Sequence, residues 1–314
     1  MDSRDTGMGA ATPTVRRRVA ITGASGLVGT ALAAALRTDG HSVVAISRNP
    51  ASGGVQWNPA RRQLDVATLQ GIDTVVHLAG ESIAGARWTD ARKQLLAASR
   101  VEPTHFLAEV IAGLDPKLRL LISASAVGIY GNRGDEVLSE GSVPGTDFLA
   151  RLAVDWERAA DPARQAGVRV VHPRFGVILA PRGGALAKML PAFRLGLGGP
   201  IGSGQQWMSW IALPDVVGAI RHVINVETIS GPVNVTSPDP VRNVEFVRTL
   251  GEALHRPAII PLPAFALRLA LGELADATLL ASQRAVPTKL AASAFEFSHP
   301  TLGGALAHLL RRRG

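Results

Sequence analysis

Glycines at positions 23, 26 and 29 stand where an apolar strand pattern runs into an apolar helix pattern, in Ala20-Ile21-Thr22-Gly23-Ala24-Ser25-Gly26-Leu27-Val28-Gly29. This spacing suits a dinucleotide. Gly23 permits the tight turn, Gly26 lets backbone amides approach a pyrophosphate, and Gly29 lets helix and strand pack closely. Amides around Ser25, Leu27 and Val28, with the partial positive charge of the helix N-terminus, would then hold the phosphates. Past the next strand pattern comes Ser47-Arg48. An acidic side chain there would bind a ribose 2′-hydroxyl and repel a 2′-phosphate, whereas a hydroxyl and a guanidinium attract one. The residues therefore point to NADP(H) rather than NAD(H).

Two further strand ends carry candidate chemistry. His77-Leu78-Ala79-Gly80-Glu81 offers small residues past which backbone can approach the cofactor ribose. Ser123-Ala124-Ser125 offers a hydroxyl that could face the nicotinamide. Ser125 either polarises a substrate carbonyl or caps its strand. Tyr130, the only tyrosine, either donates a proton or packs. Glu81 reads as an anchor for ribose or amide, and His77, ending an apolar strand, as a satisfied buried histidine. Trp207 and Trp210 read as packing or pocket-lining. Asp135-Glu136 and Glu140 have no histidine pair nearby and read as a solvated loop, so no metal is expected.

The elements that must position these residues follow a β-α alternation as far as about residue 180. Strands are expected over 19–22, 41–46, 55–57, 74–78, 118–123 and 169–172. Helices are expected over 27–37, 89–99, 104–113 and 148–166. The pattern predicts an α/β fold, a Rossmann-type doubly wound parallel sheet, with 1–14 a flexible tail and 15–180 the cofactor-binding domain. Strands from 181–256 are allowed to join that sheet. Gly- and Pro-rich stretches at 182–184 and 195–204, then proline-punctuated helices from about 257, suggest a smaller substrate lobe over 181–314.

Composition narrows the function classes. The 314 residues include no cysteine, which excludes disulfides, thiolate metal sites and a cysteine nucleophile. Of the net charge of +8, six charges sit in Arg16–Arg18 and Arg311–Arg313, leaving +2 for the rest. With aromatics at 4%, the stacking platforms of a nucleic-acid binder are missing, and the partner expected is a small molecule. No apolar run is long enough to cross a membrane. The arginine triplet before an apolar run imitates an export signal, but the strand-turn-helix pattern accounts for that run, and a cytoplasmic location is expected.

Taken together, Gly23–Gly29, Leu78-Ala79-Gly80 and the Ser…Tyr-Gly stretch at 125–131 resemble the extended short-chain dehydrogenase/reductases. More narrowly, the chain resembles their atypical "epimerase family" branch, the SDR39U1-like and YfcH-like proteins. That narrower likeness rests on His77–Ile83 (HLAGESI), Arg87-Trp88, Ser99-Arg100, Ser123–Gly131 (SASAVGIYG), Gly196–Gly204 (GLGGPIGSG) and Met208–Ile211 (MSWI). The resemblance implies NADP(H) held by Ser47, Arg48, Leu78, Ala79, Glu81, Arg100 and the strand end near Val177.

One part of the wider pattern is missing. Those reductases use a Tyr-x-x-x-Lys pair, which the i, i+4 spacing puts on one helix face so that the lysine favours the tyrosinate. Aligned on Asp155-Trp156-Glu157, the two positions become Phe148 and Leu152. Two readings stay open: an oxidoreductase or epimerase relative working on a small carbonyl or alcohol through Ser125, or a non-catalytic NADP(H)-binding sensor or interaction protein.

Overall fold

The computed structural model describes residues 16–50, 53–84 and 86–311, so the expected tail at 1–14 lies outside the described residues. The chain opens with β1 (Arg18–Thr22), α1 (Leu27–Thr38), β2 (Ser42–Ser47), β3 (Val55–Asn58), β4 (Gln63–Leu64) and β5 (Thr74–His77). It continues through α2 (Asp90–Ala98), α3 (Val101–Ala112), β6 (Leu120–Ser123), β7 (Ser125–Ala126), β8 (Val137–Leu138), α4 (Phe148–Arg158) and α5 (Asp161–Gln165). Next come β9 (Arg169–Phe175), β10 (Val177–Leu179), α6 (Gly184–Arg194), β11 (Trp207–Met208), β12 (Trp210–Ala212), α7 (Leu213–Asn225) and β13 (Gly231–Val235). The last are β14 (Val241–Arg242), α8 (Asn243–Leu254), α9 (Ala264–Leu271), β15 (Arg284–Ala285), α10 (Thr288–Ala292) and α11 (Leu302–Leu310).

The main sheet runs β13-β9-β6-β5-β1-β2-β3-β4, parallel from β13 to β3, with β7 also pairing β9 and β4 closing the edge antiparallel. The strand order reverses between β1 and β5, the switch point at which such sheets bind ligands beyond their carboxyl ends. β5 (TVVH) and β6 (LLIS) are buried at every residue, as central strands covered on both faces must be. On one face, Leu32 and Leu36 of α1 pack with Val216, Ile220 and Ile224 of α7. On the other, Phe106, Leu107 and Ile111 of α3 pack with Ala160 and Ala163. This is the doubly wound α/β sheet the sequence pattern predicts.

Differences from the expected elements have local causes. The single helix expected over 148–166 is two, α4 and α5, with Pro162 in the first turn of the second. Proline cannot continue a helix but suits a first turn. The same preference lets α3 begin at Val101, ahead of Pro103. The loosened stretch after 181 contains a full helix, α6, which starts where Gly183 and Gly184 take φ of +93° and +71°. A separate apolar core is built from Leu186 and Phe193 of α6, Trp210 of β12, Phe246 and Leu250 of α8, and Leu306 of α11.

Candidate functional site

At the end of β1 the turn closes through Gly26 N–H donating to Gly23 O at 2.9 Å. Gly23 has φ +66°, and a Cβ there would meet the Leu78 carbonyl at 3.0 Å. A Cβ on Gly29 would stand 2.2 Å from Gly23 O, so helix and strand can approach only with glycine here. Gly26 is the opposite case. Its Cβ would touch only Gly23 O, at 3.2 Å, and the residue is exposed. Gly26 is also the N-cap of α1 and offers no side chain to its first-turn amides. Those amides and the half-exposed Leu27 and Val28, beside the exposed Ser25, form a cradle that fits a pyrophosphate and that a Cβ at 26 would intrude on. At the end of β2, Ser47 is half-buried and Arg48 exposed.

The backbone of Leu78 and Ala79 is held from beneath by a chain of side chains. Both amides donate to Thr22 Oγ1, at 3.0 and 3.2 Å. Thr22 therefore turns its own hydrogen to His77 Nδ1 at 2.7 Å, which leaves the ring hydrogen on Nε2, donated to Thr104 Oγ1 at 2.9 Å. Trp156 Nε1 donates to the same Thr104 oxygen at 3.0 Å. His77 is fully buried, and burial pushes its pKa down to about 4, so the ring is neutral. The buried, satisfied histidine expected from the sequence also fixes the loop in front of it.

Arg100 is expected to reach the cofactor, but the structure tucks it under the 78–81 loop. Its Nη2 donates to Glu81 O at 2.6 Å and its Nη1 to Leu96 O at 3.3 Å, with the guanidinium 5.1 Å from the Trp156 ring centre. Burial lowers its pKa to about 10. Glu81 itself is exposed and pairs with Arg92 at 3.0 Å, while Gly80 leaves room for Arg100 behind it. Ser123 has no exposed surface and its hydroxyl no partner. Val177 opens β10, its amide donating to Ser209 O at 2.7 Å.

The serine and tyrosine singled out for catalysis belong to one buried network. Ser125 Oγ donates to Glu157 Oε1 at 2.7 Å. Glu157 also takes two bonds from Arg174, Nε at 2.8 Å and Nη2 at 2.9 Å. Arg174 Nη1 donates to Tyr130 Oη at 3.0 Å, and Tyr130 donates to Asn234 Oδ1 at 2.6 Å. Burial raises the Tyr130 phenol, though Arg174 opposes this. Burial would also raise the Glu157 carboxyl, but the Arg174 guanidinium outweighs it and holds the group below the usual carboxylate range. Tyr130 has no exposed surface and its proton is committed, so its expected role as a proton donor to substrate gives way to a packing role. Ser125, 2% exposed, points its hydrogen at Glu157. That hydrogen is committed, so the carbonyl donation expected of Ser125 has no free proton in this arrangement.

Phe148 and Leu152 stand on α4 in an apolar cluster with Trp88, Leu96 and Leu274. The Phe148 ring meets Trp88 edge-on at 5.3 Å. Trp210 is core, bonded to Asp239 O, and Trp207 bonds Asp135 between the guanidinia of Arg242 and Arg284. A cavity of about 770 Å³ lies against α8 beside Val244, Arg248 and His255, not over the sheet switch point.

Residues 19–235 match the NAD dependent epimerase/dehydratase family. The chain belongs to that family. Residues 262–309 match a "domain of unknown function" (DUF1731). An epimerase family protein of Mycobacterium bovis is 49% identical over 94% of this chain and 98% of its own. The human epimerase family protein SDR39U1 is 36% identical over 93% of this chain and 99% of its own. A crystal structure of human SDR39U1 (isoform 2) with NADPH superposes with a TM-score of 0.86 at 35% identity, covering 93% of this chain and 98% of that one. A nucleoside-diphosphate sugar epimerase of Corynebacterium glutamicum superposes at 0.79 with 40% identity, over 94% of this chain and 58% of its own. The atypical "epimerase family" resemblance read from His77–Ile83 and Ser123–Gly131 therefore stands.

Sequence reasoning missed Glu157 and Arg174. One signal was present: Arg174 is a charged residue inside the apolar run Val170-Val171-His172-Pro173-Arg174-Phe175, and a buried charge needs a partner.

Proposed function

We propose that this chain is an NADP(H)-dependent oxidoreductase acting on a small carbonyl or alcohol. The observation that carries the cofactor choice is Ser47-Arg48: an exposed guanidinium, where a carboxylate would select NAD(H), ends the second strand of a glycine-turn cradle. The human relative crystallised with NADPH supports the same choice. A bound nicotinamide supplies or takes the hydride. The chain's residues hold the pyrophosphate at Gly26–Gly29, fix the ribose-facing loop through Thr22 and His77, and present Ser125 Oγ to the substrate oxygen.

A second reading, a non-catalytic NADP(H)-binding sensor or interaction protein, is favoured by Phe148 and Leu152, which carry no proton where the wider family keeps a tyrosine and a lysine. One experiment separates the two. The protein is incubated with NADPH or NADP⁺ and a panel of carbonyls and alcohols, and nicotinamide absorbance is followed. Turnover that falls steeply in Ser125→Ala supports the oxidoreductase. Tight binding without turnover supports the second reading. Gain of carbonyl reduction only in Phe148→Tyr with Leu152→Lys does so too.

A further inference from the structure

Behind Ser125 lies an opening that the cofactor cradle does not use. A pocket of about 190 Å³ sits where α4 and α5 cross β9 and β13, lined by Val154, Glu157, Arg158, Arg164, His172 and Arg174. Glu157 stands between this pocket and Ser125. Its Oε1 takes hydrogen bonds from Ser125 and from Arg174 Nε, while Oε2 takes only one, from Arg174 Nη2. A carboxylate offers about four acceptor sites, so Oε2 keeps one free. His172, 2% exposed, brings to the same pocket a ring that touches the Ser123 backbone and has no side-chain hydrogen-bond partner. A buried ring nitrogen left without a partner is costly, and a polar pocket of this size holds water that satisfies it.

We infer that Glu157 is the proton acceptor behind Ser125, and that water held in this pocket by His172 and the Glu157 carboxylate carries the proton to the surface. The inference rests on the oxidoreductase reading above. In alcohol oxidation the substrate C–H bond breaks, its electron pair leaving as hydride to the oxidised nicotinamide. The substrate O–H proton passes to Ser125 Oγ while the serine's own proton passes to Glu157 Oε1. The carboxyl then gives its proton to pocket water. Carbonyl reduction runs the same steps backwards, water supplying the proton and NADPH the hydride.

Among the described residues, the other groups near Ser125 do not offer this route. Phe148 and Leu152 carry no proton, Tyr130 gives its own to Asn234, and both His77 nitrogens are engaged. The charged and titratable groups around Glu157 are Arg174 and His172 from β9, Arg158 from α4, Asp161 and Arg164 from α5, with Tyr130 and Glu140 on the far side of Arg174. Arg174 keeps the carboxylate ionised at neutral pH, the form that accepts a proton.

The test uses full-length protein labelled with ¹³C at glutamate carboxyls, with the Glu157 resonance identified by its loss in Glu157→Gln. The expected result is a Glu157 resonance at the shift of an ionised carboxylate in the NADP⁺ complex, which moves in Ser125→Ala as the serine hydrogen bond is lost. The serine variant removes the link without leaving a buried charge unpaired, so it serves if Glu157→Gln does not fold. A protonated Glu157 in the NADP⁺ complex, or a resonance unmoved in Ser125→Ala, would overturn the inference. For any substrate that turns over, Glu157→Gln should lower kcat by about 10²-fold or more, the usual contribution of a general base, with NADPH affinity kept. Unchanged kcat would also overturn it. Absence of turnover with every substrate sinks the oxidoreductase reading, while the resonance comparison decides the place of Glu157 on its own.

Discussion

Tyr130→Phe separates the two roles open to the only tyrosine. The substitution keeps the ring, which is core, and deletes one oxygen that makes two buried hydrogen bonds. Arg174 Nη1 retains Glu140 O at 3.2 Å. Asn234 fares worse. Its Nδ2 is committed to Leu138 O at 3.3 Å and Val286 O at 2.9 Å, so the amide cannot turn its oxygen toward another donor without turning it on two carbonyls. The change therefore strands a buried acceptor, worth about 1–3 kcal/mol. At about 2–4 °C per kcal/mol for chains of this order of size, Tm should fall by several degrees. Thermal unfolding followed by circular dichroism reads that fall, and titration with NADPH should give the wild-type affinity at a temperature where both proteins are folded. If turnover is found, it should be unchanged per folded molecule. An unaltered Tm together with lost turnover would show that the hydroxyl reaches substrate, and the packing role would be wrong.

Arg48→Asp should weaken NADPH by about 10- to 100-fold, the equivalent of losing one charged hydrogen bond, and leave NADH nearly unaffected; fluorescence titration with both cofactors checks it, equal losses counting against a 2′-phosphate contact. Gly26→Ala should fold normally and lose cofactor, since its Cβ meets only Gly23 O, whereas Gly29→Ala should lower Tm sharply because its Cβ would sit 2.2 Å from backbone. His77 has a folded pKa below its unfolded value, so its contribution to stability is complete above pH 6.5. It is lost as pH falls from 6.5 toward about 4, up to about 3 kcal/mol. The depressed His172 adds in the same direction. Urea unfolding across that range should show the slope, and His77→Gln should flatten it.

The glycine turn was legible because its constraint is local: Gly23, Gly26 and Gly29 answer to atoms within a few residues of themselves and to one neighbouring strand. Short continuous apolar runs marked the central strands for a similar reason, since burial on both faces leaves Val75-Val76 and Leu120-Leu121-Ile122 unbroken, with Thr74, His77 and Ser123 only at the strand ends. The Ser125–Glu157–Arg174–Tyr130–Asn234 network was hidden because its partners lie 17 to 104 residues apart and share no period. Tyr130 in Ile-Tyr-Gly looks the same to sequence whether its hydroxyl is wet or sealed. Arg100 was hidden in a comparable way: sequence places it near the 78–81 loop but does not show that its donors turn to Glu81 O and Leu96 O. The helix α6 escaped notice because Gly183-Gly184 have the composition of a loop and the geometry of a helix start.

The chain leaves its central sheet after β9 and returns only at β13, and α7, which covers the α1 face, lies between them. Arg221 of α7 grips Asp39, 182 residues earlier, and Leu290 completes the same apolar layer. On the ribosome this order matters. Synthesis at about 5–20 residues per second spends about 3–12 s on the roughly 60 residues from the end of β9 to the end of β13. Through that interval β9 is a bare edge, and the layer beneath α1 has no cover, the state in which nascent sheets pair with the wrong neighbour. A fragment cut after residue 180 would hold that state permanently, with the glycine turn and the 78–81 loop already made and half of its wall missing.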